Sequence, residues 1–224
     1  MFRPLCLVLA FAGPALATPP QTLTLSETVI AASDNQIVTL RHVEDNLGYH
    51  HTTLTTTFVA ITDLDGSGTT LHLLRQTLDH GPFFADYGET TRLTERAANT
   101  IPLPDLLPDG ARPVTPAHIG PSGLGAVSDD GYILMTNRRV LDIPAAAITE
   151  ALTRVAAETQ TALPPRDTRE GWTLPDAAQN FTHRDCLPQT AHYLDAHIAL
   201  YLNCRGGDGA DHLSFYLPWP DPAP

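Results

Sequence analysis

Alternating apolar and polar positions, broken by short turn clusters, run through most of this chain. The clearest case lies between His50 and Leu78. Two stretches rich in threonine and β-branched or aromatic residues flank Asp63-Leu64-Asp65-Gly66-Ser67-Gly68. That pattern predicts a central β-hairpin. Upstream, Gln36 to Glu44 alternates as a strand, while Thr22 to Ala32 fits either a strand or a short helix capped by Ser26. Asp79 to Gly88 forms an aromatic loop. Thr90 to Asn99 is of mixed character, compatible with a short helix.

Six prolines between Pro102 and Pro121 remove backbone donors at irregular intervals, which suits an extended surface loop within one domain. A second hairpin is expected from Gly125 to Ser128 and Tyr132 to Val140, turning at Asp129-Asp130-Gly131. The period then changes. Ile148, Leu152 and Val155 recur at helical spacing over about 144–160, with Asp142 placed to cap and Glu150 and Arg154 four apart. The narrow apolar stripe predicts one face packed on a sheet. Arg166 to Pro188 reads as irregular, with Trp172 and Phe181 as anchors. At the C-terminal end, Leu194, Ala196, Ile198, Leu200, Leu202 and Cys204 fall on one face of a single strand. Leu213, Phe215 and Leu217 return the chain after a glycine-rich turn. The fold class expected is therefore mainly β or α+β, an antiparallel sheet or sandwich built from hairpins with one amphipathic helix packed on it.

The first seventeen residues change the picture of where such a domain works. Arg3, the apolar run Leu5 to Ala12 and Ala15-Leu16-Ala17 have the form of a secretory signal peptide. The apolar run is shorter than the roughly 20 residues a bilayer requires, and no later segment is apolar enough to cross one. Residues 1–17 are thus expected to be removed, leaving 18–224 as a single β-rich domain that is periplasmic or extracellular. The net charge is −12, and every basic residue is arginine. The arginine, alanine and proline content suits a GC-rich bacterial genome. An acidic chain without basic clusters argues against nucleic acid as a partner. After processing two cysteines remain, Cys186 and Cys204, and export makes a disulfide their simplest state. It would close the C-terminal region 186–217.

Three groups of residues could carry chemistry. Asp63, Asp65 and Ser67 with Gly66 resemble the first half of a calcium loop, because a hard cation needs several oxygens on a glycine-bent turn. Position twelve is Leu74 rather than glutamate, and strands flank the turn, so a plain hairpin turn explains the same residues. No cofactor is therefore predicted, with calcium at this turn as the alternative. The ten histidines include His50, His51, His72, His192, His197 and His212, but none has a zinc or metalloprotease spacing. His192 and His197, five apart on one strand, would face opposite ways. The polar face of the C-terminal hairpin brings together Tyr193, Asp195, His197, Tyr201, His212 and Tyr216, a binding patch in which Asp195 could orient His197. Gly120-Pro121-Ser122-Gly123-Leu124 lacks the final glycine of a nucleophile elbow. With no catalytic motif, the expectation is a non-catalytic exported binding or envelope-associated protein, its partner a small ligand or an envelope protein. The alternative is an exported metal-dependent or His/Asp-based hydrolase.

Overall fold

The computed structural model describes residues 20–49, 51–81, 92–114, 117–118, 124–135, 140–164, 171–194, 197–206 and 211–220. The expected signal peptide, most of the aromatic loop and Asp195 lie outside them.

The N-terminal half is an antiparallel meander of β1 (Leu23–Ala32), β2 (Gln36–Asp45), β3 (Thr52–Asp63), β4 (Thr69–His80) and β5 (Arg92–Ala98). The central hairpin forms as its pattern predicts, with Thr62 opposite Thr69 across the Asp63–Gly68 turn. β1 is a strand throughout, settling the choice left open for it. β5 corrects the short helix considered for Thr90 to Asn99. Its residues tolerate a helix, but pairing with the edge of β4 decides their conformation.

The proline-rich stretch carries one helical turn, α1 (Leu103–Leu106), and a two-residue strand, β6 (Ala117–His118). A small second sheet follows, of β7 (Leu124–Val127), β8 (Gly131–Met135) and β9 (Val140–Pro144). The stretch read as one strand from Tyr132 to Val140 is thus two strands. The long helix α2 (Ala145–Ala162) begins directly from β9. Its N-cap is Pro144, with no side-chain cap bond, so Asp142 is a strand residue and not the cap. Residues expected to be irregular hold a short helix, α3 (Leu174–Ala178), in which Thr173 and Asp176 form a capping box. A 3-10 turn at His183–Asp185 leads into β10 (Cys186–Leu194), β11 (His197–Arg205) and β12 (His212–Pro220). Among the described residues no helix is long and apolar enough to cross a membrane.

The two halves meet as one nine-stranded sheet in the order β5-β4-β3-β2-β1-β12-β11-β10-β6. The first and last long strands pair in parallel, and only at Thr24–His212 and Leu25–Leu213. Asp211 fixes the start of this junction. Its buried carboxylate accepts the Leu23 N–H at 3.0 Å and the Trp172 indole N–H at 3.3 Å. Beyond Leu25 the two strands make no further ladder pair, so the sheet is split there.

On one face, alternation places Leu23 and Leu25, Val43, Phe58, Leu213, Phe215 and Leu217, and Ile198, Leu200 and Leu202 in the main core. Ile148, Leu152 and Val155 of α2 pack on it as their spacing predicts, together with Tyr132, Leu134 and Ile143 of the small sheet. Each such side chain stabilises the fold by about 1.5–3 kcal/mol on burial. Cys186 and Cys204 are opposite each other on β10 and β11, fully buried, and joined by a disulfide.

The other face explains the proline-rich stretch. Leu106, with Leu107 and Ala111, covers Ala31, Val38 and Val59. Arg112 exchanges two backbone hydrogen bonds with Ala32, at 2.9 and 2.8 Å. The segment therefore closes over the sheet with few ladder bonds, and the missing proline donors cost it little. A third cluster joins Leu64 from the central turn and Ile37 from β2 to Ala199 of β11.

Candidate functional site

The segment from Tyr193 to Cys204, read above as a single strand, turns between Leu194 and His197. Leu194 pairs with His197, and Tyr193 with Ile198. That turn redistributes the expected binding patch. His197 and Tyr201 on β11 and His212 and Tyr216 on β12 do share one face, with Tyr201 directly opposite Tyr216. Tyr193 moves to the other face and packs against the main core. Asp195 lies outside the described residues, and so does its expected contact with His197. His192 is the residue that the single-strand reading misplaced. Across the turn it lies on the same face as His197, opposite Ala199.

Two separate polar clusters result. In the first, Tyr216 is the hub. Its ring lies 5.1 Å from that of Tyr201 and 5.4 Å from that of His192, with its hydroxyl 3.3 Å from His192 Nε2. Burial pushes the Tyr216 hydroxyl up to about 12, despite a hydrogen bond from the Val29 backbone; Tyr201 and Glu27 add to the rise. A phenol held protonated this firmly is a hydrogen-bonding post rather than a base. His192 has no solvent exposure.

The second cluster has the composition of a nucleophile and base but not the proton arrangement. Ser214 Oγ and Asn203 Oδ1 both lie 3.0 Å from His212 Nε2. The Arg205 Nε–H points at the same Asn203 oxygen at 3.3 Å, which fixes Oδ1 as an acceptor. His212 Nε2 must then carry hydrogen and donate to it. A nitrogen that donates cannot take the Ser214 proton, and Ser214 is fully buried. Burial, and after it the Arg205 charge, lowers the His212 pKa and keeps the ring neutral near pH 7.

The Asp63–Gly68 turn is held by its own residues. Ser67 N–H donates to Asp65 Oδ1 at 2.8 Å, Ser67 Oγ–H to Asp63 Oδ2 at 3.1 Å, and Gln36 to Asp63 Oδ1 at 2.9 Å. The Ser67 amide and hydroxyl hold Asp65 below the usual carboxylate range, with His197 lowering it further. Leu64 of the turn packs with Ala199, so the turn lies near the start of β11. Arg154 of α2 donates to the Gly66 carbonyl at 3.0 Å, so one backbone oxygen of the turn already faces a cation. Among the described residues no group of three or more His, Cys, Asp or Glu converges on a metal position.

An open cleft of about 290 Å3 lies elsewhere, between the β1–β2 tip, the proline-rich stretch and the end of β10. Ser33, Asp34, Arg112, Val114, Tyr193 and Leu194 line it. The Ala32–Arg112 backbone bridge positions Arg112, and a short turn with Ser33 N–H donating to the Gln36 carbonyl positions Asp34. Both side chains are exposed, and neither has a side-chain partner among the described residues. Of the described residues of the expected patch, only Tyr193 lines this cleft. Asp34 and Arg112 carried no signal in the sequence, because nothing there brings position 34 to position 112.

No protein-family model, no curated protein and no solved structure matches this chain.

Proposed function

We infer that this is an exported, non-catalytic binding protein that takes a small ligand in the cleft between Asp34 and Arg112. One observation carries the reading. The described polar side chains His192, Asn203, His212, Ser214 and Tyr216 of the C-terminal strands are buried or half-buried and bonded to one another, whereas Asp34 and Arg112 line an open cleft with no side-chain partner among the described residues. Export is supported by the arginine-led apolar N-terminus and by the Cys186–Cys204 disulfide, a bond typical of oxidising compartments. The cleft is near the lower end of ligand-pocket volumes, which favours a ligand of amino-acid or dipeptide size.

The hydrolase alternative has one observation in its favour, the Ser214–His212 contact. The buried serine and the donor role of His212 Nε2 count against it. Intact-mass and elemental analysis of untagged protein from the oxidising compartment tests the binding reading against a metal-dependent hydrolase. The binding reading expects a chain starting near Thr18, two hydrogens light, without stoichiometric metal. Stoichiometric zinc, copper or iron would overturn it in favour of the hydrolase.

A further inference from the structure

We propose that the cleft selects a zwitterion, a small molecule carrying one carboxylate and one ammonium group. This rests on the cleft being the ligand site and adds the charge pattern of what enters it. Asp34 and Arg112 line the same cleft from different segments, yet they form no ion pair with each other. Two opposite charges that face one space without meeting leave room for a ligand with the complementary pair. The guanidinium presents a planar fork suited to a carboxylate, and the Asp34 carboxylate accepts from an ammonium group.

The overall charge sharpens this choice. In a chain of net charge −12, a simple anion is repelled over long range, and a simple cation gains nothing from Arg112. A zwitterion avoids both penalties. Pro113, Val114 and Leu194 add apolar surface to the same cleft. Both charged side chains are exposed, and the hydrogen bonds that hold Arg112 in place come from its backbone. Changing either side chain should therefore leave the fold intact.

The test is a titration of the 15N-labelled, disulfide-bonded protein, followed by amide shifts at Ala32, Val114 and Tyr193. The probes are alanyl-leucine, its N-acetyl form, its C-terminal amide and the doubly blocked compound. Alanyl-leucine should bind, and each singly blocked form should bind about tenfold more weakly. In Arg112→Gln the amide should bind as well as the free dipeptide, and in Asp34→Asn the N-acetyl form should do so. If blocked and free compounds shift the same amides with equal affinity, the charge-pair inference fails while the cleft stands as the site. If no probe shifts these amides, both fail.

Discussion

The Glu27 carboxylate accepts the Tyr216 backbone N–H at 2.7 Å, where β1 and β12 have stopped pairing. A side chain thus takes over from the strand ladder at the split. Its other oxygen accepts from Arg41 Nε at 2.7 Å, and Arg41 in turn donates to Thr159 of α2 at 2.7 Å. The network ties three strands and the helix together with almost no exposure to water. Removing one partner leaves the other charge buried and uncompensated. Glu27→Gln or Arg41→Met should therefore lower the unfolding free energy by about 3–5 kcal/mol in urea titrations. The joint change to apolar residues of similar volume should recover much of that loss. Equal costs for the single and double variants would refute the pairing.

Gly131 is a backbone requirement and not a matter of composition. Its φ is +142°, and a Cβ there would sit 2.1 Å from the Ile143 carbonyl oxygen and 2.8 Å from the Ala145 nitrogen. Gly131→Ala should destabilise by about 2 kcal/mol or more, since backbone atoms cannot step aside. Gly68→Ala is the control: a Cβ there meets nothing within 4 Å. Comparable melting temperatures for the two variants would contradict this.

The disulfide closes a separation of 18 residues across two adjacent strands. Replacing both cysteines by alanine should cost about 3 kcal/mol, mostly through the freed unfolded chain. Chemical denaturation of the oxidised protein and the variant measures it. Because both sulfurs are fully buried, reduction of the native protein should be slow without denaturant.

Two kinds of titration should be visible in the pH dependence. The pKa of His212 is lowered on folding, so the unfolded chain binds more protons in the window below 6.5. Its contribution is present above that value and is lost as the pH falls through the folded pKa. His212→Gln should flatten the acid limb of the stability curve below about pH 6.5. Tyr132 and Tyr216 are both pushed up to about 12 by burial. Their stabilisation is intact below pH 10 and is lost as the pH rises from 10 towards 12. A late step in the ultraviolet tyrosinate titration should shrink in Tyr132→Phe and again in Tyr216→Phe.

Local patterns carried much of this fold. Asp-Gly and Ser-Gly mark the central turn, the helical stripe of Ile148, Leu152 and Val155 marks α2, and the parity of Cys204 with Leu200 and Leu202 marks the buried face. What stayed hidden depends on pairing between distant segments. No glycine or proline stands between Leu194 and His197, so two paired strands read as one and His192 fell on the wrong face. Thr94 to Ala98 suit a helix until β4 offers an edge. The same holds for the site. His197, Tyr201, His212 and Tyr216 share one sheet face as their alternation suggested, but in two separate clusters. The cleft depends on the Ala32–Arg112 bridge, which spans 80 positions of otherwise unremarkable sequence.

The most direct measurement is native mass spectrometry of the wild-type protein beside an Asp34→Asn/Arg112→Gln double variant. Both are purified untagged from the oxidising compartment under identical conditions. The account predicts a small non-covalent organic adduct on the wild type that the double variant loses, with the two proteins equally folded. An adduct retained in full by the variant, or wild-type protein that carries none, would contradict it.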